Sequence, residues 1–234
     1  MRICVLDNDV LDPQAAPIYQ SYGAMFVRLL GEAGADWSFE LFNTTFGQYP
    51  ASFDDFDAVL LTGSQADAFA PTPWVLELRQ CVTQLLDAKK KLLGVCFGHQ
   101  LIALCLGAPV GRAPQGWGAG RMTYQWHAPA MAQAQGRTDI ALLASHQDQV
   151  LALPEGATLL ASSAFCPVAA FAVGKTVFCV QPHPEFREDY SAHLLNKRRG
   201  ELGEAHYTAS LNSLALGHDG LPMARMMVAF VEAV

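Results

Sequence analysis

The sequence predicts an α/β fold in which a mostly parallel central sheet is covered by helices. Three apolar runs of strand length, Arg2 to Leu6, Asp57 to Leu61 and Lys91 to Val95, are each followed by a loop and then by helical spacing. Strand and helix alternating in this way require crossover connections, which make neighbouring strands parallel. With 234 residues, 51% of them hydrophobic and 16% charged, the chain is long enough to bury most of its apolar surface in one domain spanning 1–234.

The elements follow in order. Arg2 to Leu6 is a buried strand, and Asp7 to Tyr22 is a polar loop with two prolines, Pro13 and Pro17. Met25 to Leu30 continues as a helix, and Trp37 to Phe42 alternates as a strand. Asp57 to Leu61 is the next strand, preceded by surface turn residues Asp54, Asp55 and Asp57 itself. Gly63 to Pro73 is a loop, and Trp74 to Lys89 a helix whose apolar face holds Leu76, Leu78, Val82, Leu85 and Leu86. Lys91 to Val95 is a third strand ending at Cys96, followed by a helix over Gly98 to Leu106 that Gly107 stops. From Arg121 to Val180 short strands are split by turns such as Pro154-Glu155-Gly156 and Gly174-Lys175, which predicts a mixed or antiparallel extension of the sheet. Helical spacing returns from Phe186, so 187–234 reads as a helical C-terminal extension.

Composition narrows the function. A net charge of -7 argues against nonspecific nucleic-acid binding. The apolar stretch Leu92 to Gly111 is about as long as a membrane span, yet His99, Gln100 and its glycines break it, so strand, turn and helix are expected and a membrane partner is not. Only Ile3 to Leu6 are apolar before Asp7, too few for a signal-peptide core, which predicts a cytoplasmic protein. The six cysteines show no CxxC spacing and read as reduced thiols; for Cys4, Cys81, Cys105, Cys166 and Cys179 burial is explanation enough.

Cys96 is different. Gly94-Val95-Cys96-Phe97-Gly98 has the spacing of a nucleophile elbow, in which glycines let a strand turn sharply into a helix. A thiol there stands at a helix N-terminus, where unpaired amides and the macrodipole favour the thiolate. The Phe97 amide is placed to donate to an oxyanion. Such a nucleophile needs a base, and among the seven histidines His183 is the best candidate: it follows the apolar run Val177 to Val180, emerges at a sheet edge, and stands between Pro182 and Pro184. Glu185 supplies a carboxylate that could orient the imidazole.

GVCFGHQ followed by QPHPE resembles the class I glutamine amidotransferases, of the kind that form the glutaminase of GMP synthase, over residues 1 to about 190. The resemblance implies a flavodoxin-like three-layer sandwich with Cys96 as nucleophile, His183 as base and Glu185 as orienting acid. It also implies that Gln100 helps hold the glutamyl part of the substrate. Ser145-His146-Gln147-Asp148-Gln149-Val150 looks like a further family stretch, which makes His146 a pocket candidate. Relatives often carry Gly-Gly-Pro where this chain has Gly63-Ser64-Gln65; Gly63 keeps the oxyanion position. The Thr62 to Ala68 stretch, TGS-x-x-D-A, looks more like stand-alone members similar to γ-glutamyl peptidases.

The implied chemistry is hydrolysis of the γ-glutamyl amide of glutamine or a related small molecule through a cysteinyl thioester, with no metal or organic cofactor required. Three settings stay open: a glutaminase serving a synthetase or acceptor protein in trans, a stand-alone γ-glutamyl peptidase, and a silent module binding a γ-glutamyl metabolite. Other motifs are set aside. His183-Pro184-Glu185 matches the H-x-E of zinc deaminases, but the P-C-x-x-C is missing. Gly174-Lys175-Thr176 lacks the earlier glycine of a phosphate loop, since Ala169 stands there, and reads as a hairpin turn. Gly116 to Gly120 reads as a flexible loop, His99 as a structural hydrogen-bonder, and Lys197-Arg198-Arg199 as a solvated helix face. His127, His193, His206 and His218 have no partner that the sequence names.

Overall fold

Strand β1 (Arg2–Asp7) lies between β2 (Ser38–Asn43) and β3 (Ala58–Leu61), and β3 pairs with β4 (Lys91–Val95), all in parallel. The computed structural model describes residues 1–127 and 138–233. Helix α1 (Ala16–Tyr19) and α2 (Tyr22–Glu32) follow β1, α3 (Pro73–Asp87) follows β3, and α4 (Phe97–Cys105) follows β4. Further on come β5 (Val110–Arg112), β6 (Gly118–Trp126), β7 (Asp139–His146), β8 (Asp148–Val150), β9 (Thr158–Ser162), β10 (Ala170–Val173) and β11 (Val177–Val180). The main sheet runs β2-β1-β3-β4-β11-β10-β9-β6-β7, and β5 pairs with β8 apart from it.

The sheet has two halves. β11 joins β4 in parallel, but from β11 through β10, β9 and β6 to β7 every pairing is antiparallel. The expected antiparallel extension is therefore present, and residues 128–137 of that stretch lie outside the described residues. The order 2-1-3-4 is that of flavodoxin-like sheets, in which ligands sit beyond the strands' carboxyl ends.

The interior parallel strands β1, β3 and β4 are apolar over most of their length because both faces are covered, whereas β2 at the sheet edge is largely exposed. Ile3 and Val5 of β1 pack with Phe26 and Leu30 of α2 and with Met223, Met227 and Val231 of the final helix, Gly220–Glu232. Cys4 and Leu6, on the other face, pack with α3 and α4. The buried residues of α3 are Val75, Leu78, Val82 and Leu85, each worth about 1.5–3 kcal/mol. Leu76, assigned to that face from sequence, is 42% exposed, since the helix is phased by Val75 and Leu78.

Other expectations shift with context. The polar Asp7 to Tyr22 loop contains α1, started by Pro17 in its first turn. Gly116 turns the chain with φ +84°, but Gly118 to Gly120 already belong to β6, so that stretch is half strand rather than loop. The Leu92 to Gly111 run resolves into β4, α4 and the start of β5, and no helix among the described residues is long and apolar enough to cross a membrane. Cys4, Cys166 and Cys179 are buried as expected, whereas Cys81 and Cys105 are only half-buried; all six thiols are free.

Beyond Phe186 the chain forms helices Glu188–Lys197, Arg199–Leu202, Glu204–Ser213 and Gly220–Glu232. Tyr190, Leu194, Leu195 and Tyr207 of this region pack on Tyr19, Tyr22 and Leu143 as a third cluster. The extension thus divides: its first helices pack on α1, α2 and β7, while its last helix lies on the sheet face beside α2.

Candidate active site

Cys96 connects β4 to α4 at φ +51° and ψ -103°, a conformation that costs a non-glycine residue on the order of 1–3 kcal/mol. Hydrogen bonds fix it: Cys96 N donates to Val180 O at 2.9 Å, and Cys96 O accepts from Gln100 N at 3.0 Å. The flanking glycines have a steric reason. A Cβ on Gly94 would lie 2.9 Å from the Gly98 carbonyl, and one on Gly98 would lie 2.5 Å from Leu61 O. With neither present, α4 rests on β3 and β4, and the thiol stands at its first turn, 5% exposed.

His183 follows β11, so its sheet edge is the carboxyl end of an interior strand. Its N donates to Leu143 O of β7 at 2.8 Å, and its ring stacks on Phe186 with centroids 3.8 Å apart and planes at 8°. Nδ1 donates to Glu185 Oε1 at 2.7 Å, which leaves Nε2 for Cys96. Burial opposes a charged imidazole here. Glu185 and Cys96, through charge and hydrogen bonding, outweigh it and raise the His183 pKa from 6.5 to about 10.

The sign of the resulting pH dependence follows. The contribution of His183 to stability is full below about pH 6.5 and falls as pH rises through about 10, because over that interval the folded state holds a proton that the unfolded state has released. In Glu185→Gln the melting temperature should therefore decline less steeply across this interval. Turnover should also fall by about 10²–10³-fold, less than the roughly 10⁴-fold of the comparable serine-protease change. Turnover and a pH slope equal to the parent's would make Glu185 a merely structural residue.

Gly63 follows β3 at the same end of the sheet. A Cβ there would lie 2.8 Å from His183 Cε1 and 3.6 Å from Cys96 Cβ, so its backbone borders both of these side chains. Behind it, Thr62 Oγ1 accepts from Asn8 N at 2.9 Å, and Asn8 Nδ2 donates to Thr62 O at 3.0 Å. Phe97 opens α4, and its N–H has no acceptor within the helix.

A narrow cleft of about 60 Å³ opens at Cys96, lined also by Gln100, His146, Asp148, Trp117 and Arg198. A larger cavity of about 350 Å³ lies behind Glu185 and does not reach Cys96. Gln100 Nε2 donates to Asp148 O at 2.9 Å and Gln181 Oε1 at 3.1 Å, which leaves its carbonyl oxygen to meet a ligand. His146 is buried; desolvation and the nearby charge of His183 lower its pKa to about 4, so it is neutral. Its Nδ1 faces Asp148 O at 3.2 Å, and Nε2 has no partner among the described residues. Arg112 lies 3.3 Å from Asp148 and 3.5 Å from Asp67. Burial and then Asp67 raise the Asp148 pKa to about 6, against the pull of Arg112.

Several histidines depart from expectation. His99 is wholly buried, and neither ring nitrogen has a partner in good hydrogen-bond geometry among the described residues; desolvation and then His146 lower its pKa to about 3, against weak support from the Val168 and Cys179 backbone, so it packs as a neutral ring 5.1 Å from Phe171. Three that the sequence left without partners have them: His193 with Asp12 at 2.8 Å, His127 with Ser162 at 2.7 Å, and His218, whose Nδ1 accepts from Gly220 N at 3.1 Å. The basic run is not one solvated face. Lys197 pairs with Asp12 and Arg199 with Glu204, but Arg198 turns inward to Ser145. The missed signal was helical phase: Arg198 continues the buried stripe of Ser191, Leu194 and Leu195.

The family model described as glutamine amidotransferase class-I matches residues 17–198. The chain belongs to this family. Among curated relatives of this class I amidotransferase, gamma-glutamyl peptidase 3 of Arabidopsis thaliana is 36% identical over 187 residues, 76% of this chain and 74% of that protein. A glutamine-hydrolysing GMP synthase subunit from Methanocaldococcus jannaschii is 34% identical over 144 residues, 61% of this chain and 72% of that protein. A crystal structure of a glutamine amidotransferase from Thermotoga maritima superposes with a TM-score of 0.79 at 20% identity, covering 100% of this chain and 99% of that one. At that identity the likeness bears on the fold, and the three-layer α/β sandwich of this family member is the fold expected from its sequence.

Proposed function

We propose that this class I amidotransferase hydrolyses a γ-glutamyl amide bond, with Cys96 as nucleophile, His183 as general acid and base, and Glu185 orienting the imidazole. The observation that carries the reading is a cysteine held at positive φ at a helix N-terminus, beside a buried His183–Glu185 pair and at the mouth of a cleft. Cys96 sulfur attacks the γ-carbonyl carbon, and the oxyanion is held by backbone amides at Gly63 and Phe97. As the C–N bond breaks, His183 gives its proton to the leaving nitrogen. Water, deprotonated by the same imidazole, then cleaves the thioester and returns glutamate and the thiol. Gln100 and His146 border the acyl chain. No metal or organic cofactor enters these steps, and the reacting molecule is small.

Of the settings that the sequence left open, the stand-alone γ-glutamyl peptidase is favoured. Curated relatives of this name extend over three quarters of the chain, and the C-terminal extension supplies Arg198 to the cleft from the same chain. On this reading 1–234 is one domain and 187–234 the part that finishes its site. The likeness to a GMP synthase component supports the rival reading, with a synthetase docking in trans. The free state of all six thiols suits a reducing, cytoplasmic setting.

The purified chain should release glutamate from glutathione or a γ-glutamyl dipeptide without any other protein. Assays of ammonia and glutamate release from glutamine, glutathione and dipeptides check this. Inertness toward all of them, relieved only by a copurifying protein, would replace the stand-alone reading with the synthetase-dependent one.

A further inference from the structure

We propose that Arg198 forms a leaving-group subsite of this same centre, binding the free carboxylate of an amino acid whose nitrogen is joined to the γ-glutamyl carbonyl. γ-Glutamyl peptides with a free carboxylate would then be the preferred substrate class, ahead of simple amides such as glutamine. The inference rests on the hydrolytic reading of Cys96 and His183.

Arg198 lies just past helix Glu188–Lys197, is half-buried, and lines the cleft with Cys96. Its Nη1 donates to Ser145 Oγ at 2.9 Å, and its guanidinium lies over the Trp117 ring, 4.8 Å from the centroid. Two supports hold the group rigid, yet one hydrogen bond uses a fraction of its five donors. The neighbouring cations are engaged by carboxylates: Arg112 by Asp67 and Asp148, Lys197 by Asp12, Arg199 by Glu204. Arg198 has no carboxylate within ion-pair distance among the described residues. A planar, stacked guanidinium with spare parallel donors suits a carboxylate gripped by two hydrogen bonds.

The position selects which carboxylate. Ser145 lies two residues beyond Leu143 on β7, on the same face of the strand. Leu143 O accepts the His183 backbone N–H at 2.8 Å. Arg198 is therefore braced on the strand that also holds the imidazole, the group that protonates the leaving nitrogen. In a γ-glutamyl dipeptide the free carboxylate is two bonds from that nitrogen. In glutamine the leaving group is ammonia, which gives Arg198 nothing to hold.

A matched pair isolates this charge: γ-glutamylalanine and γ-glutamylalanine amide, compared by kcat/KM in the parent, Arg198→Gln, Arg198→Lys and Arg199→Gln. The parent should favour the acid by about 10- to 100-fold, the range of a charge-assisted hydrogen bond. Arg198→Gln should bring the ratio near one, chiefly through KM for the acid, and Arg198→Lys should keep part of it. Arg199→Gln, which changes the adjacent charge outside the cleft, should keep the parental ratio. A general loosening of the helix would lower both substrates together and leave the ratio intact. A parental ratio near one, or one that survives Arg198→Gln, overturns the subsite while leaving the hydrolase reading in place. Inertness of the parent toward both substrates and glutamine overturns the two together.

Discussion

Cys96→Ala should abolish turnover of every γ-glutamyl substrate, by a factor on the order of 10⁴ or more, while the melting temperature stays within a few degrees of the parent's. The two halves of this expectation have separate causes. Without sulfur no thioester forms, and the remaining amides and cleft can only bind. The elbow persists because its shape depends on the small residues Gly94 and Gly98 and on the bonds from Cys96 N to Val180 O and from Gln100 N to Cys96 O, all of which alanine keeps. Glutamate release and thermal unfolding, measured on the same preparation, check both. Activity near the parental level would remove Cys96 as nucleophile. Cys105→Ala is the useful contrast: that thiol is half-buried and lies 3.6 Å from Arg79 O, away from the cleft, so the change should cost about 1 kcal/mol of stability and leave turnover alone.

Gly98→Ala should be among the most damaging small substitutions in the molecule. The added Cβ would lie 2.5 Å from Leu61 O and 2.7 Å from Leu61 Cβ, and these belong to β3 in the middle of the sheet rather than to a mobile side-chain end. Helix α4 must lift from the sheet or tilt, at a cost of about 3 kcal/mol or more. Either movement carries Cys96 away from His183, so turnover should fall further than the loss of folded protein explains. Urea unfolding and turnover well below the melting temperature separate the two effects. Gly107→Ala calibrates the result, since Gly107 has open space around it and φ +83°, leaving backbone strain of about 1 kcal/mol as the whole cost. A Gly98→Ala protein as stable as the parent would mean that α4 does not rest on β3 so closely.

The triad candidates were legible because each sits where a local pattern meets a change of element. Glycines at 94 and 98 mark the sharp turn, and His183 follows the apolar run of β11 with a carboxylate two residues on. The interior parallel strands were legible for a related reason, since strands buried on both faces leave unbroken apolar runs, while β2 at the edge showed itself by alternation. What was missed depends on distant neighbours. Leu76 is apolar but exposed, because helix phase is set by the sheet beneath. Gly118 looked like loop, yet its missing side chain makes room for Phe165 and His146, which would lie 2.7 and 3.0 Å from a Cβ. Arg198 looked solvated because the basic residues on either side of it are, and its contact with Ser145 spans 53 positions. His99 took a wholly buried, neutral state that no local rule selects.

The covered flank of β7 bears on how copies of this chain can associate. β7 ends the sheet, and a strand in that place normally offers its free backbone groups to another chain. Here Ala141 N donates to Asp219 Oδ2 and Ala141 O accepts from Asp219 N, while Leu143 O is taken by His183. An intruding strand must therefore strip away His183, the proposed general acid and base, before it can pair. Edge-to-edge oligomers formed through β7 would be inactive from their first contact, and returning such material to monomers would have to restore the histidine's backbone bond before any turnover reappeared.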